Sequence, residues 1–548
     1  MAMLNGADLV VSELKRQGVT WVSTLCGNGL NPFFISCKKA GIRLIDTHNE
    51  QSAAYMADTY ARLTGHVGVC AVSSGVAHSN ALTGIANAFF DGSPVLLITG
   101  ASAGYGASRG VFQEYDQVAL AEPLCKYSMC IYRASDISFF FRQAFAKAVS
   151  GRPGPVHLTI PLDVLEAEIE EPTVLNHITE TINSCAGLLQ PDYLEQIVAM
   201  VEYSHKPLII AGSGVFYGKG QPSLVKFSEN AMIPIVTPIW DRGVIDKPHP
   251  NFLGVIGAAS GEPRLIEDAD LIILAGARVD YRIGYLRPPK VSERAKVIRI
   301  DRDVCELNQG VEPTLGIAGD LSSVFDILAK AVSDRGISKH AEWLKETRER
   351  AGLFQSRWKD TTPPMMSGWH IVKAIQPLLN EEVILLIDGG NIGQWAHMLL
   401  ATNRYPTSWL TCGASAVVGW GLPGAMAASL AYPDKPVLLL SGDGSFGFTT
   451  TELESAVRQK LPFVVVVAND KTWGIAASVQ YNRYGDEGII ATRFGEIRYD
   501  KVAEACGAQG LQAHNPQELT EAIQQGFSAH VPVVIDVPIT TFASFDIT

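Results

Sequence analysis

The chain has 548 residues, 47% of them apolar and 18% charged, a balance that suits buried cores and excludes an intrinsically disordered chain. Its 44 Lys and Arg against 56 Asp and Glu leave a formal charge of −12, and no basic run supplies the electrostatic footprint of a nucleic-acid binder. At roughly 100 to 200 residues per domain, the length predicts about three compact units.

At the amino end, Leu4, Leu9, Val11 and Leu14 alternate with Asp8, Glu13, Lys15 and Arg16, which predicts an amphipathic helix rather than a secretion signal. Helical spacing returns in SAAYMADTYARLTG (52–65) and in ELESAVRQK (452–460). Between such stretches lie short apolar runs that end in small or acidic residues: PVLLITG (94–100), PLIIAGSG (207–214), LIILAGARVD (271–280), VILLIDGGN (383–391), PVLLLSGDG (436–444) and FVVVVAND (463–470). Each has the pattern of a strand buried on both faces, and their alternation with helices predicts an α/β chain of doubly wound parallel sheets. No apolar run approaches the ~20 residues of a membrane helix. The nine cysteines, scattered from Cys26 to Cys506 without a CxxC pair, point to a reducing compartment. A soluble, cytoplasmic protein is expected.

Periodicity fades over 164–184 and over the charged helix 340–368, whose latter part carries Thr361, Thr362, Pro363 and Pro364, so both read as linkers. They divide the chain into three α/β domains, 1–175, 185–340 and 365–548. In open parallel sheets ligands sit beyond the carboxyl ends of strands, where helix starts offer free N–H groups to anions. The segment Gly442-Asp443-Gly444-Ser445 closes one apolar run, and Asn469 closes the next, 26 residues after Asp443. A carboxylate and an amide oxygen on neighbouring strand ends, with glycines that admit a diphosphate to the backbone, suit a hard divalent cation bridged to phosphate.

This spacing resembles the signature of the thiamine diphosphate (ThDP) enzymes of the acetohydroxyacid synthase and pyruvate decarboxylase superfamily. THNEQSAAYMADTYAR (47–62), GRPGPVHLTIPLDV (151–164), AGARVDYRIG (275–284), IDGGNIGQW (387–395) and CGASAVVGWGLPGAM (412–426) follow in the family's order. The resemblance spans nearly the whole chain. It implies pyrimidine-binding, central Rossmann-like and diphosphate-binding domains, and a homodimer or homotetramer with active sites at the subunit interface.

By the same resemblance Glu50 is the acid that activates the cofactor's aminopyrimidine. Mg²⁺ falls to Asp443, Asn469 and the carbonyl of Lys471. Cofactor contacts fall on Gly27, on Gly390, Asn391 and Ile392, and on Gly442, Gly444 and Ser445. Ala416 and Val418 match the segment that props the bent cofactor, and Trp473, Gly474 and Ile475 match the start of the substrate helix. In the central domain Arg278, Arg282 and Asp301 resemble the patterns for FAD or ADP, and Arg287, Lys290 and Arg294 are candidates for CoA phosphates. A spacer domain with a solvated charged loop is the alternative.

Near the reacting carbon, Gln113 matches a glutamine of acetohydroxyacid synthases and of benzaldehyde lyase. His78 is the nearest candidate for a proton shuttle where Gly29 replaces the lyase's histidine. A histidine packed beneath the cofactor loop is its alternative, and Asn28 is a second polar candidate. Leu162 stands where the synthases commonly carry a lysine, and Val479 where they carry a tryptophan. The reaction this implies is a carboligation or lysis of a bond next to a carbonyl, through a C2 ylide and an enamine, acetolactate synthase-like in the first reading. The alternatives are a benzaldehyde lyase-like or 2-hydroxyacyl-CoA lyase or decarboxylase activity and, in another class, a catalytically silent ThDP-binding protein. The expected substrates are 2-oxo acids, aldehydes or 2-hydroxyacyl compounds, with neither nucleic acid nor membrane as a partner.

Overall fold

A computed structural model describes residues 3–106, 108–170, 189–257, 265–356, 366–401 and 403–540. It contains three six-stranded sheets, every neighbouring pair of strands parallel. In spatial order the amino-terminal sheet is Arg43–Asp46, Trp21–Leu25, Gly68–Val72, Val95–Ala101, Val156–Pro161 and Tyr127–Cys130. The central sheet is Phe252–Ile256, Ile235–Pro238, Pro207–Ala211, Leu271–Ala275, Lys296–Asp301 and Leu315–Ala318. The carboxy-terminal sheet is Trp409–Thr411, Ile384–Asp388, Val437–Gly442, Val464–Asn469, Val533–Pro538 and Gln509–Gln512.

Numbered along the chain, the outer sheets share the order 2-1-3-4-6-5 and the central sheet has 3-2-1-4-5-6. Each order reverses direction beside its first strand, and the reversal leaves a crevice at the carboxyl ends there. The apolar runs read as strands lie where expected. Their buried faces carry helices on both sides, which is why they show no polar alternation.

The three sheets group into two compact units. One comprises 1–183 with 422–433 and 449–462, and the other 184–421 with 434–448 and 463–548. The helix Glu452–Gln459, from the carboxy-terminal third of the sequence, therefore belongs to the same unit as the amino-terminal sheet.

Two expectations change. The first helix begins at Gly6, not at Leu4, because Asn5 caps it: the Asn5 side chain accepts from the Asp8 N–H (2.8 Å), and Asp8 in turn accepts from the Asn5 N–H (3.3 Å). Leu4 instead sits in a short strand, Met3–Asn5, antiparallel to Glu168–Glu170 in the stretch read as linker. Residues 171–184 of that linker lie outside the described residues. The start of the second linker is the helix Ala341–Ser356, whose Trp343, Thr347, Ala351 and Phe354 form a buried stripe. Trp343 donates its indole N–H to the Pro207 carbonyl (2.9 Å) at the start of a central strand. A single apolar stripe among so many charges was too narrow to read as a packing face. The rest of that linker, 357–365, is outside the described residues.

A free linker would tolerate truncation at 343. Packed as it is, Trp343→Ala should cost about 3–5 kcal/mol, seen as a lowered midpoint in denaturant unfolding followed by circular dichroism; an unchanged midpoint would return the helix to linker status.

Candidate functional site

In the second unit, the crevice between Ile384–Asp388 and Val437–Gly442 opens into a cavity of about 430 Å³. Gly389, Gly390, Asn391 and Ile392 line one wall, and Gly442, Asp443, Gly444 and Ser445 line another. Gly389 takes φ +120°, a left-handed conformation that other residues avoid, and Gly390 starts the helix Gly390–Leu400. A second helix, Gly474–Tyr484, starts at the same cavity. Neither start is capped by a side chain, so both leave backbone donors for an anion. The backbone approaches closely here: a side-chain carbon on Gly474 would lie 2.1 Å from the Asn391 amide, and one on Gly444 would lie 2.6 Å from the Trp473 ring.

Asp443, 2% exposed, accepts from the N–H groups of Gly444 (2.9 Å) and Lys471 (2.8 Å). Its neighbour across the strand ends is Asp470, which hydrogen-bonds the Asp443 side chain and accepts from the Asn391 amide and the Thr472 N–H. Burial holds both carboxyls above the ordinary carboxylate range, and the charge of Asp470 adds to the effect on Asp443. No Lys or Arg lines this cavity among the described residues. Two enclosed acids facing two helix starts suit a cation that accompanies an anionic guest.

This geometry corrects the expected ligand set. Asn469 does not line the cavity; its amide donates to the Asp536 carboxylate (3.0 Å) and the Ile497 carbonyl (3.2 Å). Successive residues of a strand point to opposite sides, so of the adjacent pair Asn469 and Asp470 it is the second that turns to Asp443. The Lys471 carbonyl already accepts from the Phe494 N–H (2.8 Å), and Thr472, not Lys471, borders the cavity. Two consecutive polar residues at a strand end were the available signal.

Ala416 (φ +53°) and Val418 line the cavity as expected, with Trp473, Gly474 and Ile475. The loop that carries them is anchored by Asp388, a residue not singled out beforehand although it closes a buried apolar strand. One Asp388 oxygen accepts from the N–H groups of Gly419 (3.1 Å) and Gly421 (2.8 Å). Burial pushes its carboxyl up to about 7 against those bonds and one from Ser445. Val479 is exposed and outside the lining.

In the first unit, Glu50 opens the helix Glu50–Thr64, capped by Asn49, and accepts from the Asn80 amide (3.0 Å). Gly27 packs on Ser73, at the crevice between the first and third strands along the chain. Gln113 takes φ +54° and its Cβ stands against Gly75. The buried glutamine of that segment is Gln117, which sequence reading missed: it accepts from the Gly75 N–H (2.8 Å) and donates to the Gly100 carbonyl (3.0 Å). His78 is fully enclosed, 2.8 Å from the Tyr115 hydroxyl and stacked on His157 at 4.8 Å. Burial lowers its pKa to about 4, so at neutral pH it is an uncharged, sealed ring. Its enclosure suits the packed-histidine alternative. Leu162 starts the short helix Leu162–Glu166, half-buried.

In the central sheet, buried Arg282 is committed to Asp280 (2.8 Å), to the Ile239 carbonyl (3.3 Å) and, at 3.7 Å, to Asp241. Arg278 lies 4.0 Å from Glu306, and one Asp301 oxygen accepts from the Asp303 N–H (2.9 Å). The Arg282 contacts fit a structural arginine better than a nucleotide ligand. Lys290 pairs with Glu267 at 3.7 Å, both partly exposed.

The models of the thiamine pyrophosphate enzyme family match three stretches: the N-terminal TPP binding domain at 4–120, the central domain at 194–328 and the C-terminal TPP binding domain at 388–537. Full-length relatives agree. A 2-hydroxyacyl-CoA lyase 2 of Bos taurus is 30% identical over 578 residues, covering 97% of this chain and 90% of its own. The chain belongs to the thiamine pyrophosphate enzyme family. Other members similar to it are a probable acetolactate synthase large subunit of Methanococcus aeolicus (29% identical; 97% of this chain, 92% of the relative) and acetolactate synthase isozyme 1 large subunit of Escherichia coli K12 (28%; 97% and 94%). For a thiamine pyrophosphate enzyme the residues present fit the cofactor's tail: helix starts for the diphosphate and an acidic pair for a divalent cation.

The raised Asp388 sets a pH dependence. A carboxyl whose folded pKa exceeds its unfolded one binds more protons when folded, so stability falls as pH rises from about 4 to about 7. Asp388→Asn keeps an acceptor for Gly419 and Gly421 but cannot ionise. Its thermal midpoint should gain on wild type between pH 5 and pH 7.5; a constant difference would show that Asp388 does not titrate there.

Proposed function

We propose that the protein is a ThDP- and Mg²⁺-dependent enzyme that makes or breaks a carbon–carbon bond next to a carbonyl. The observation that carries this reading is the Asp443–Asp470 pair, which shares its cavity with two uncapped helix starts. In this reading Asp443 and Asp470 hold the metal, with the carbonyl of Thr472 in place of that of Lys471. Gly390, Asn391, Ile392, Gly444 and Ser445 hold the diphosphate, and Val418 supports the bend between the rings. Bound ThDP would supply an electron sink at the substrate's carbonyl carbon.

Glu50 would hold a proton at the aminopyrimidine, its carboxylate oriented by Asn80. Gln113 would orient a substrate oxygen, and Gln117 holds the neighbouring Gly75 turn. Glu50 of one protomer would serve the cofactor held by its partner, in a homodimer or homotetramer, and the compartment would be the cytoplasm. Acetolactate synthase-like carboligation is the first reading. The second, a lyase acting on 2-hydroxyacyl or 2-hydroxyketone substrates, is favoured by a lining without Lys or Arg among the described residues, since such a pocket gives no counter-charge to a carboxylate.

Incubation of the enzyme, ThDP and Mg²⁺ with pyruvate, benzaldehyde, benzoin or a 2-hydroxyacyl-CoA, with products identified by mass spectrometry, decides between the two readings. Acetolactate from pyruvate supports the first, and aldehyde released from benzoin or the thioester supports the second. No product from any substrate would leave the silent alternative. Glu50→Gln should lower turnover about 10²- to 10⁴-fold with the fold intact; full activity would reject its role.

Asp470→Ala should weaken Mg²⁺-dependent ThDP binding about 10- to 100-fold, in the range of lost metal-site partners, whereas Asn469→Ala should have a smaller effect in the same fluorescence titration. The reverse ranking would restore Asn469 as the ligand. Mixing inactive Glu50→Gln and Asp443→Asn proteins should regenerate activity through hybrid oligomers. Failure to do so, with subunit exchange demonstrated, would place both residues in one protomer's site.

A further inference from the structure

We propose that the helix Glu452–Gln459 clamps the turn that carries Glu50, with Glu452 as its positioning residue; the inference rests on the reading of Glu50 given above. Glu452 is fully buried, and both of its oxygens lie 3.1 Å from the backbone nitrogen of His48, two residues before Glu50. The His48 ring is held on the same helix, with Nδ1 3.1 Å from the Ser455 hydroxyl and Nε2 3.5 Å from Glu454. Further along, Arg458 and Gln459 donate to Asp46 at 2.7 and 2.6 Å, and Arg43 donates to Gln459. Glu452, Ser455 and Gln459 recur at the three- and four-residue spacing of one helix face. That face meets Arg43, Asp46 and His48.

The rest of the turn is equally tied. The Thr47 N–H donates to Thr24 (2.9 Å), the Thr47 hydroxyl donates to the Asn49 carbonyl (2.8 Å), and Asn49 caps the helix that Glu50 begins. The His48 N–H finds its acceptor far along the chain, in a buried carboxyl group. The His48 N–H and the Ser52 and Ser455 hydroxyls that bond Glu452 do not require a charged acceptor, and enclosing a carboxylate carries a desolvation cost. A charge-assisted bond fixes position more firmly than a neutral one. Displacement of a reacting group by about 1 Å can cost about 10²-fold in rate, so firm placement of the turn has a catalytic consequence while Glu452 itself touches neither substrate nor cofactor.

The test compares Glu452→Ala with Glu452→Gln, which keeps an acceptor for the His48 N–H. In protein without cofactor, hydrogen exchange of the amides at 46–50 should quicken about tenfold or more in the Ala variant, with the strands of the unit unchanged. In protein loaded with ThDP and Mg²⁺, the Ala variant should lose about 10- to 100-fold in kcat with KM within about threefold, and Gln should restore most of it. Unchanged exchange at 46–50, a loss shared by kcat and KM, or no rescue by Gln would overturn the proposal. Should the Ala variant not fold, Glu452→Asp, whose shorter chain withdraws the acceptor, takes its place in the same comparison. The exchange measurement needs no active Glu50, so failure of the clamp and failure of the Glu50 reading are told apart.

Discussion

Two carboxylates enclosed side by side are the constraint on which the candidate site depends. Asp443 and Asp470 face each other at neighbouring strand ends, and burial raises both. Such a pair is unfavourable in isolation, because each charge is desolvated and opposes the other. In the proposed reading a divalent cation would reverse the sign of the interaction, and a diphosphate would find donors at the starts of two helices. The neighbouring geometry suits that reading. Gly389, Gly444 and Gly474 let backbone and rings approach where a side chain would collide, and Asp388 ties the loop bearing Val418 to the same strand ends.

The three sheets repeat one architectural device to different ends. Each leaves a crevice where its strand order reverses. The carboxy-terminal crevice presents acids and helix starts. The amino-terminal one gathers Gly27, Ser73, Gly75 and the amide of Gln117, a set of neutral donors and acceptors. In the central sheet Arg282 is spent on Asp280 and Asp241. One fold thus offers three strand-end environments, and the local side chains decide what each can bind.

Family and architecture were legible because their signals are local. Buried parallel strands announce themselves as short apolar runs, and Gly442-Asp443-Gly444-Ser445 marks a turn whose chemistry is readable from four residues. The choice between Asn469 and Asp470 was not legible, since both are polar and adjacent; only the alternation of the strand sends one to Asp536 and the other to Asp443. Likewise Gln113 drew attention by its motif while Gln117 makes the buried bonds, and His78 looked reactive until burial enclosed it.

The sequence by itself determined the α/β class, the order of the strands along the chain and the residues at their ends, because periodicity and glycine spacing act over a few neighbouring positions. Tertiary structure alone decided which of those residues meet. That Glu452 holds the turn before Glu50, some four hundred positions away in the chain, or that a charged helix lays Trp343 on a central strand, depends on long-range packing. Periodicity can mark a helix face, but it does not name the distant segment that the face meets.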